Sequence, residues 1–359
     1  MSGRRLLLLA EQSFGPMSSK TANAAVRYIP EQVVGVVDSA LAGQTAQQVL
    51  GFGGDIPVVA TLEEGLRLQP TAALVGVAPQ GGRLPQEWRE LIRGCIAARL
   101  DIWSGLHAFL ADDAEFASLA REAGVKLVEL RRPPADLPVS TGLVREIPAT
   151  VFLAVGTDCN VGKMTAQLQL RDAMKKAGHR VGFAATGQTG ILIEGRGIAV
   201  DAVIADFIGG AAERVTLEAA HDSDIVLVEG QGSIAHPGFS GVTLGLTHGS
   251  MPHAFLLCGQ PSRTTMRNNP WMPMPSLSEF ITLYEATMAP LRPAPVIAIA
   301  LNTFDLSDVQ AREAIAAAER ETGLPATDPV RYDPAPLTEA LLDFHNRRVA
   351  GGLQSAVGG

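Results

Sequence analysis

The fold is decided by residues 151–165, which read VFLAVGTDCNVGKMT. Val151–Val155 is an apolar run of strand length, and a loop bounded by Gly156 and Gly162 follows it. Lys163 comes next, where apolar residues begin to recur at near-helical spacing. Backbone N–H groups in such a loop can turn toward phosphate oxygens, the helix N-terminus adds partial positive charge, and the lysine adds a full one. This order of elements predicts a phosphate-binding P-loop in an α/β domain.

Two features separate this loop from the common form G-x-x-x-x-G-K-[ST]. It is one residue longer, and the pattern Gly-Thr-Asp-x-x-Val-Gly-Lys resembles dethiobiotin synthetase and its relatives among the P-loop ATPases. Met164 occupies the position where Ser or Thr would bind Mg²⁺, and the nearest hydroxyl belongs to Thr165. The sequence therefore predicts phosphate binding and leaves Mg²⁺-ATP chemistry in doubt. The predicted cofactor-binding residues are Thr157, Asp158, Cys159, Asn160, Val161, Gly162, Lys163, Met164, Thr165 and Asn302, of which the last would contact an adenine edge or simply cap a turn.

At 359 residues the chain is long enough for two domains with separate cores. Before residue 148, short apolar runs alternate with helical stretches, which is the pattern of a parallel sheet. A proline-rich stretch, 131–138, together with Pro148, then precedes the P-loop strand. We expect an α/β protein with mainly parallel sheets, formed by a Rossmann-like domain at 1–147 and a P-loop NTPase-like domain at 148–359. The first lacks a G-x-G-x-x-G turn after its first strand, so the sequence does not support NAD binding.

The composition is that of a well-buried globular protein, with 47% hydrophobic and 18% charged residues. The net charge of -8 argues against a nucleic-acid-binding surface. No segment has the ~20 consecutive apolar residues that a membrane span needs. Three cysteines lie far apart without metal-ligand spacing, which indicates a reduced, cytoplasmic protein. A Rossmann-like domain without a dinucleotide motif often serves assembly, so we expect a homo-oligomer.

Three titratable residues are candidates for catalytic proton transfer. Glu229 ends an apolar strand, where partial burial would raise its pKa and suit it to general-base work. His236 lies in the following glycine-rich loop, where a lone histidine is either a base or only a hydrogen-bonding residue, and Asp206 lies in the apolar segment 200–207. Cys159 sits at a helix N-terminus, which would lower the pKa of its thiol. No base lies close to Cys159 in sequence, so a nucleophilic role is not predicted for it.

Polar, glycine-rich segments follow three successive predicted strands, at the position where open α/β sheets bind ligands. These segments offer many hydrogen-bond donors with little bulk. Arg263 and Arg267 would each pair with a substrate carboxylate through two parallel hydrogen bonds, or would be solvated surface charges. The predicted substrate-binding residues are Gln188, Thr189, Gln231, Ser233, Arg263 and Arg267.

Four motifs together resemble one protein family. They are Gly156–Thr165, Thr186–Gly190, Val228–Ser233 and His236–Gly245. They are similar to the DgcN-like D-glutamate N-acetyltransferases, a family formerly described as a domain of unknown function, and the similarity runs over nearly the whole chain. The resemblance implies transfer of an acetyl group from acetyl-CoA to the amine of D-glutamate, with the P-loop holding the phosphates of coenzyme A and with no metal ion. It also implies that Glu229 or His236 takes the proton of the acceptor amine and that Arg263 and Arg267 hold the glutamate carboxylates.

Two other functions stay open from the sequence. An ATP-dependent kinase or ligase resembling dethiobiotin synthetase is favoured by the P-loop pattern and by the Glu-Gly-x-Gly motif that begins at Glu229. Met164 argues against it, and a Mg²⁺ ion bound by Thr165 beside ATP would restore it. A nucleotide-sensing regulatory protein without turnover would instead lack any acid–base group near its bound ligand.

Overall fold

The chain folds into two compact units. The computed structural model describes residues 3–16, 18–77 and 84–357. The first unit consists of the chain up to Arg132 and the later segment Gln188–Ala199. The second consists of Pro133–Gly187 and the chain from Val200 onward. This division differs from the boundary at 147/148 expected from the prolines in two places. Residues 133–147 belong to the second unit, and Leu192 of the segment Gln188–Ala199 packs into the hydrophobic core of the first.

The first unit contains a parallel sheet with the strand order β3-β2-β1-β4-β5-β6. Both faces of the central strand are covered, because Leu6 and Leu8 lie in one hydrophobic cluster while Leu7 and Leu9 lie in another. A strand buried on both faces reads as a continuous apolar run, as these four leucines do. The elements up to Arg132 are β1 Leu6–Leu9, α1 Lys20–Tyr28, β2 Val33–Val37, α2 Ala46–Leu50, β3 Val58–Val59, α3 Leu62–Arg67, β4 Ala72–Val75, α4 Gln86–Ala97, β5 Asp101–Ser104, α5 Ala114–Ala123 and β6 Leu127–Glu129.

The remaining elements belong to the second unit, apart from α7. They are β7 Thr150–Gly156, α6 Lys163–Lys176, β8 Val181–Ala184, α7 Gln188–Glu194, α8 Ile208–Ala220, β9 Ile225–Val228, α9 Ser240–Ser250, β10 Ala254–Gly259, β11 Thr265–Met266, β12 Asn269–Pro273, α10 Leu277–Met288, β13 Val296–Leu301, α11 Asp308–Thr322, β14 Ala326–Thr327 and α12 Ala335–Val357.

The second unit contains a parallel sheet in the order β14-β13-β10-β7-β9-β8. Strand β7 is buried along its whole length between β10 and β9, so the P-loop follows a central strand. The strands β11 and β12 form a separate antiparallel hairpin. Among the described residues, no helix is long and apolar enough to cross a membrane.

Parts of the second unit differ from the sequence expectation. The sequence pattern predicts a helix over 202–218, but α8 begins only at Ile208, after two short 3₁₀ turns. Helices α9 and α10 were not predicted. The sequence of α9, SGVTLGLTHGS, contains three glycines and several β-branched residues, which have low helix propensity, and tertiary packing overrides that propensity here.

Candidate active site at the P-loop

The predicted P-loop connects β7 to α6. Gly162 precedes the first turn of α6 with a φ of 97°, a left-handed conformation that glycine adopts without strain. At Gly156 a Cβ atom would lie 2.8 Å from Nζ of Lys163, so a larger residue would displace the lysine head group. Lys163 is buried, and its Nζ donates a hydrogen bond to the carbonyl oxygen of Asp158 at 2.8 Å. The loop therefore places a full positive charge inside its own turn.

A fully buried carboxylate, that of Asp158, fixes the shape of the loop. Its Oδ1 accepts a hydrogen bond from the Cys159 amide at 2.6 Å, and its Oδ2 accepts from the Arg267 amide at 2.7 Å. Arg263 donates to the same Oδ2 at 2.8 Å and to the carbonyl oxygen of Cys159 at 2.7 Å. A second nitrogen of Arg263 donates to Gln260 at 2.8 Å. These contacts make Arg263 an internal support of the P-loop.

Arg267 has a different environment from Arg263. Its backbone N–H and carbonyl oxygen bind Asp158 and His236, while the residue as a whole is exposed. In the described part of the chain, no hydrogen bond or ion pair involves its guanidinium. Its charge still acts on the loop, since it favours the thiolate form of Cys159. Arg267 thus offers a cation at the edge of the P-loop.

The second candidate base, His236, is buried against the hairpin β11–β12. The amide of Gly238 donates to its Nδ1 at 3.1 Å, so Nε2 carries the proton of the neutral ring and donates to the carbonyl oxygen of Arg267 at 3.0 Å. Phe239 packs on the ring with a centroid separation of 4.6 Å. The tautomer and orientation of His236 are therefore set by its neighbours.

Glu229 directly follows β9 and is buried. Its Oε2 accepts hydrogen bonds from the amides of Thr186 and Gly187, each at 3.0 Å, at the end of the neighbouring strand β8. Gln231 donates to the hydroxyl of Thr186 at 3.2 Å. At Gly230 a Cβ atom would lie 1.7 Å from the carbonyl oxygen of Ala154 in β7, so only glycine allows this close approach of the β9–α9 loop to the P-loop strand. The predicted glycine-rich segments after β8 and β9 therefore meet each other, and Gly230 brings the second of them against β7.

A buried tyrosine that no sequence motif indicates completes the support of the P-loop. The hydroxyl of Tyr284 donates to the carbonyl oxygen of Gly156 at 2.7 Å and accepts from the amide of Ile234 at 3.1 Å. The hydroxyl of Ser233 donates to the carbonyl oxygen of Thr157 at 3.1 Å. Burial raises the pKa of Tyr284 to about 12, so the phenol stays protonated near neutral pH. Tyr284 lies in α10, which was not predicted, and a single tyrosine in a helix gives no signal of such a role.

The other predicted site residues lie in varied settings. Asn302 directly follows β13 and lies beside the P-loop. A Cβ atom built on Gly162 would be 3.7 Å from the Cβ of Asn302. Asp206 is exposed in a 3₁₀ turn. Gln188 and Thr189 begin α7 and belong to the first unit, where Gln188 accepts a hydrogen bond from Arg131 at 2.9 Å.

The structure brings three reactive groups together in the loop. The sulfur of Cys159, a carboxylate oxygen of Asp158 and a ring nitrogen of His236 lie within 4.8 Å of one another. Burial raises the pKa of the Cys159 thiol despite the opposing effect of Lys163, so the expectation of a lowered pKa was wrong. The spacing would admit a metal ion, but Asp158 already pairs with the Arg263 guanidinium, whose charge would repel a cation. We therefore assign no metal ion to this cluster.

Two family models match the chain. A model described as the P-loop domain of DUF1611, a domain of unknown function, matches residues 138–338, and its Rossmann-like N-terminal partner matches 39–133. The chain belongs to the DUF1611 family. The DUF1611 chain is also similar to a crystal structure of a DUF1611 family protein from Anabaena variabilis, with a TM-score of 0.90 and 37% identity over 95% of this chain and 100% of that one. The predicted fold and the family resemblance are confirmed.

Two curated relatives of the DUF1611 chain carry a functional name. One, from Tritonibacter scottomollicae, is named D-glutamate N-acetyltransferase and is 40% identical over 283 residues, which cover 78% of this chain and 84% of the relative. The other, from a Pseudoalteromonas species, carries the same name and is 39% identical over 269 residues, which cover 75% of this chain and 80% of the relative. Because each alignment spans 75% or more of the 359 residues, each contains the P-loop at Gly156–Thr165.

Proposed function

We propose that the chain is a D-glutamate N-acetyltransferase that takes the acetyl group from acetyl-CoA. The observation that carries this proposal is the identity of 40% with a relative of that name over 78% of the chain. The geometry of the P-loop supports it. Met164, at the position of the usual Mg²⁺ ligand, is buried in the first turn of α6, so the loop offers phosphate contacts without that hydroxyl.

The P-loop would hold phosphates of coenzyme A. The diphosphate and the 3′-phosphate of the cofactor are anions that the reaction does not hydrolyse. A P-loop without the hydroxyl that usually binds Mg²⁺ can therefore hold them. The buried Lys163 and the amides at the start of α6 supply positive charge, and charge-assisted hydrogen bonds of this kind are the strong ones. The remaining predicted cofactor residues form the loop that surrounds them, and Asn302 lies beside it.

The acceptor amine must lose a proton before it attacks the acetyl carbon. Glu229 would take this proton, because its carboxylate is buried and is oriented by the amides of Thr186 and Gly187. Exposed Asp206 lacks such support. Backbone N–H groups of the glycine loops would stabilise the oxyanion of the tetrahedral intermediate.

One arginine would bind the acceptor. Arg263 already donates hydrogen bonds to Asp158, Cys159 and Gln260, so we assign it to support of the P-loop. Arg267, which is exposed at the edge of the loop, would pair with a glutamate carboxylate.

A free-thiol assay tests the proposal. The purified chain is incubated with acetyl-CoA and either D-glutamate or L-glutamate, and phosphate release from Mg²⁺-ATP is measured in parallel. We expect thiol release that requires D-glutamate and no phosphate release. Phosphate release without thiol release would contradict the proposal and favour the ATP-dependent ligase.

The cellular location and the assembly state stay predictions. The three cysteines of the chain are free thiols, which fits a reducing cytoplasm. A homo-oligomer is expected, and light scattering coupled to size-exclusion chromatography would measure its mass.

A further inference from the structure

A cluster of basic side chains lies at the amino ends of β7 and β10, the two central strands of the second unit. Its members are His253, which directly precedes β10, Arg292, which lies between α10 and β13, and Arg348 of α12. The P-loop follows Gly156 at the opposite end of β7, and at ~3.3 Å per residue this strand separates its two ends by about 20 Å. The cluster is therefore separate from the candidate active site.

The ring of His253 is fixed by the neighbouring strand. The amide of His253 donates to the carbonyl oxygen of Val151 at 2.8 Å, and the amide of Val151 donates to Nδ1 of His253 at 3.0 Å. Two guanidinium nitrogens of Arg292 lie 3.1 Å from Nε2 and 3.4 Å from Nδ1 of the same ring. A neutral imidazole has only one acceptor nitrogen, yet both nitrogens face N–H donors here. One N–H group therefore faces another, and an acceptor would satisfy both.

Arg348 supplies a second guanidinium with unused donors. Its Nη1 donates to the carbonyl oxygen of Pro148 at 2.8 Å and to the hydroxyl of Thr150 at 3.3 Å. Among the residues that the structure describes, its other two nitrogens make no hydrogen bond, and no carboxylate forms an ion pair with Arg348 or Arg292. The cluster thus offers several donors that point to no protein acceptor.

The two guanidinium groups are half-buried, and their charges repel each other. Burial and the charge of Arg348 lower the pKa of Arg292 to about 10, and burial lowers the pKa of Arg348. Arginine side chains nevertheless stay charged near neutral pH. Carboxylates on neighbouring elements are engaged elsewhere, since Asp224 pairs with Arg180 and Glu285 accepts from a backbone amide. Charges withdrawn from water are normally paired with an opposite charge, and the described side chains supply none here.

We propose that Arg292, Arg348 and His253 form a second anion site, which binds an oxyanion of the size of phosphate or acetate. Guanidinium groups match the oxygens of both ions through paired, charge-assisted hydrogen bonds. One oxygen would accept from the N–H groups of Arg292 and His253 that now face each other, and another from the unused nitrogens of Arg348. The inference does not depend on the proposed function, because no residue of the P-loop takes part.

An ion at this site should stabilise the second unit. The cluster lies where α12 and the segment before β13 meet the starts of β7 and β10, so one bound ion would join these elements. A ligand that binds only the folded chain raises its stability as the site fills. We therefore expect the ion to raise the unfolding temperature.

Titration with inorganic phosphate tests the site, provided that binding at the P-loop is separated from it. Calorimetry measures phosphate binding at an ionic strength held constant with sodium chloride, and thermal unfolding in the same buffers measures the stabilisation. We expect Lys163→Met, which weakens the P-loop site, to keep saturable phosphate binding and a rise in unfolding temperature. Acetate replaces phosphate in a parallel series, and the ion that saturates the site at the lower concentration is its better ligand.

Variants locate the binding. Arg292→Gln and Arg348→Gln, each combined with Lys163→Met, should weaken binding of the better ion by roughly 10-fold or more, as for loss of a charged hydrogen bond. Arg347→Gln in the same background is the matched control, because Arg347 is an exposed neighbour on α12 and should not affect binding. The readout is the shift that the ion causes relative to chloride, so a change in the basal stability of a variant does not decide the result.

Three results would overturn the inference. If Lys163→Met binds neither ion, phosphate binds only at the P-loop. If Arg347→Gln weakens binding as much as Arg348→Gln does, the effect belongs to the general surface charge. If neither ion binds and Arg348→Gln dissociates a dimer measured by light scattering, the opposite charge is a carboxylate of a second copy of the chain.

Discussion

At the scale of single residues, two neighbouring arginines have separate roles. Arg263→Gln removes a partner of the buried Asp158 carboxylate, so it should weaken binding of acetyl-CoA through the shape of the P-loop. Arg267→Gln removes only an exposed guanidinium, so it should raise KM for D-glutamate by about 10-fold or more, the low end for a charged hydrogen bond. Steady-state kinetics with each substrate varied in turn measures both effects. The assignment is wrong if Arg267→Gln changes KM for acetyl-CoA alone.

Tyr284 should contribute to the stability of the loop rather than to proton transfer. Tyr284→Phe leaves the carbonyl oxygen of Gly156 and the amide of Ile234 without this partner, at a cost of about 1–3 kcal/mol in unfolding free energy. Tyr332→Phe is the control, because Tyr332 bonds an exposed Asp308 and its loss should cost less than ~0.5 kcal/mol. Urea denaturation compares the two variants. Equal losses would show that the buried hydroxyl has no special role.

The site residues that could be predicted from the sequence are those in contiguous motifs. The P-loop was recognisable because strand, glycine turn and lysine are adjacent in the chain. The pairing of Arg263 with Asp158 was not, because it joins residues separated by 105 positions and arises only from the order of strands. The contacts of Tyr284 with the loop span 128 positions and were missed for the same reason.

At the scale of secondary-structure elements, the approach of the β9–α9 loop to β7 depends on one glycine. A methyl group at Gly230 would overlap the carbonyl oxygen of Ala154 at 1.7 Å, so Gly230→Ala should destabilise the second unit by about 1–3 kcal/mol or more. Gly241→Ala is the matched control within α9. It meets open space, and alanine is the better helix former, so stability should stay equal or rise by up to ~1 kcal/mol. Similar denaturation midpoints for both variants would contradict the close approach.

Elements could be predicted where the local sequence pattern was unambiguous. Strands β1 and β7 are continuous apolar runs, and a glycine, Gly124, follows α5 in the left-handed conformation that commonly ends a helix. Helix α9 could not be predicted in this way, because its three glycines favour a loop when the segment is considered alone. The local sequence pattern also cannot predict that α7 belongs to the first unit, because this depends on the packing of Leu192 into that unit's core.

At the scale of the whole molecule, stability should fall in mild acid. Burial, with the charges of Arg292 and Arg348, lowers the pKa of His253 to about 2 in the folded chain. An unfolded histidine has a pKa of about 6.5, so below that pH the unfolded state binds a proton that the folded state does not. The unfolding free energy should therefore decrease by up to roughly 1.4 kcal/mol per pH unit as the pH falls below ~6.5.

Denaturation at pH 7.5 and pH 5 measures this dependence. His253→Gln should flatten it, because the variant has no group to protonate at that position. The unfolding free energy of the variant is first compared with that of the wild-type chain at pH 7.5. This control separates the loss of the hydrogen bond from the Val151 amide to His253 from any effect of pH. An unchanged pH dependence in the variant would assign the acid sensitivity to other groups.

We propose that the P-loop binds the phosphates of an acyl donor. The most direct test compares kcat/KM for acetyl-CoA with that for an acetyl thioester of N-acetylcysteamine, which lacks every phosphate, in the wild-type chain and in Lys163→Met. A charged hydrogen bond to phosphate is worth about 1.5–3 kcal/mol, so Lys163→Met should lower kcat/KM for acetyl-CoA by roughly 10-fold to 10²-fold. The same variant should leave kcat/KM for the truncated donor nearly unchanged. An equal loss with both donors would exclude a role for Lys163 in phosphate binding, because Lys163 would then act on a part of the reaction that involves no phosphate.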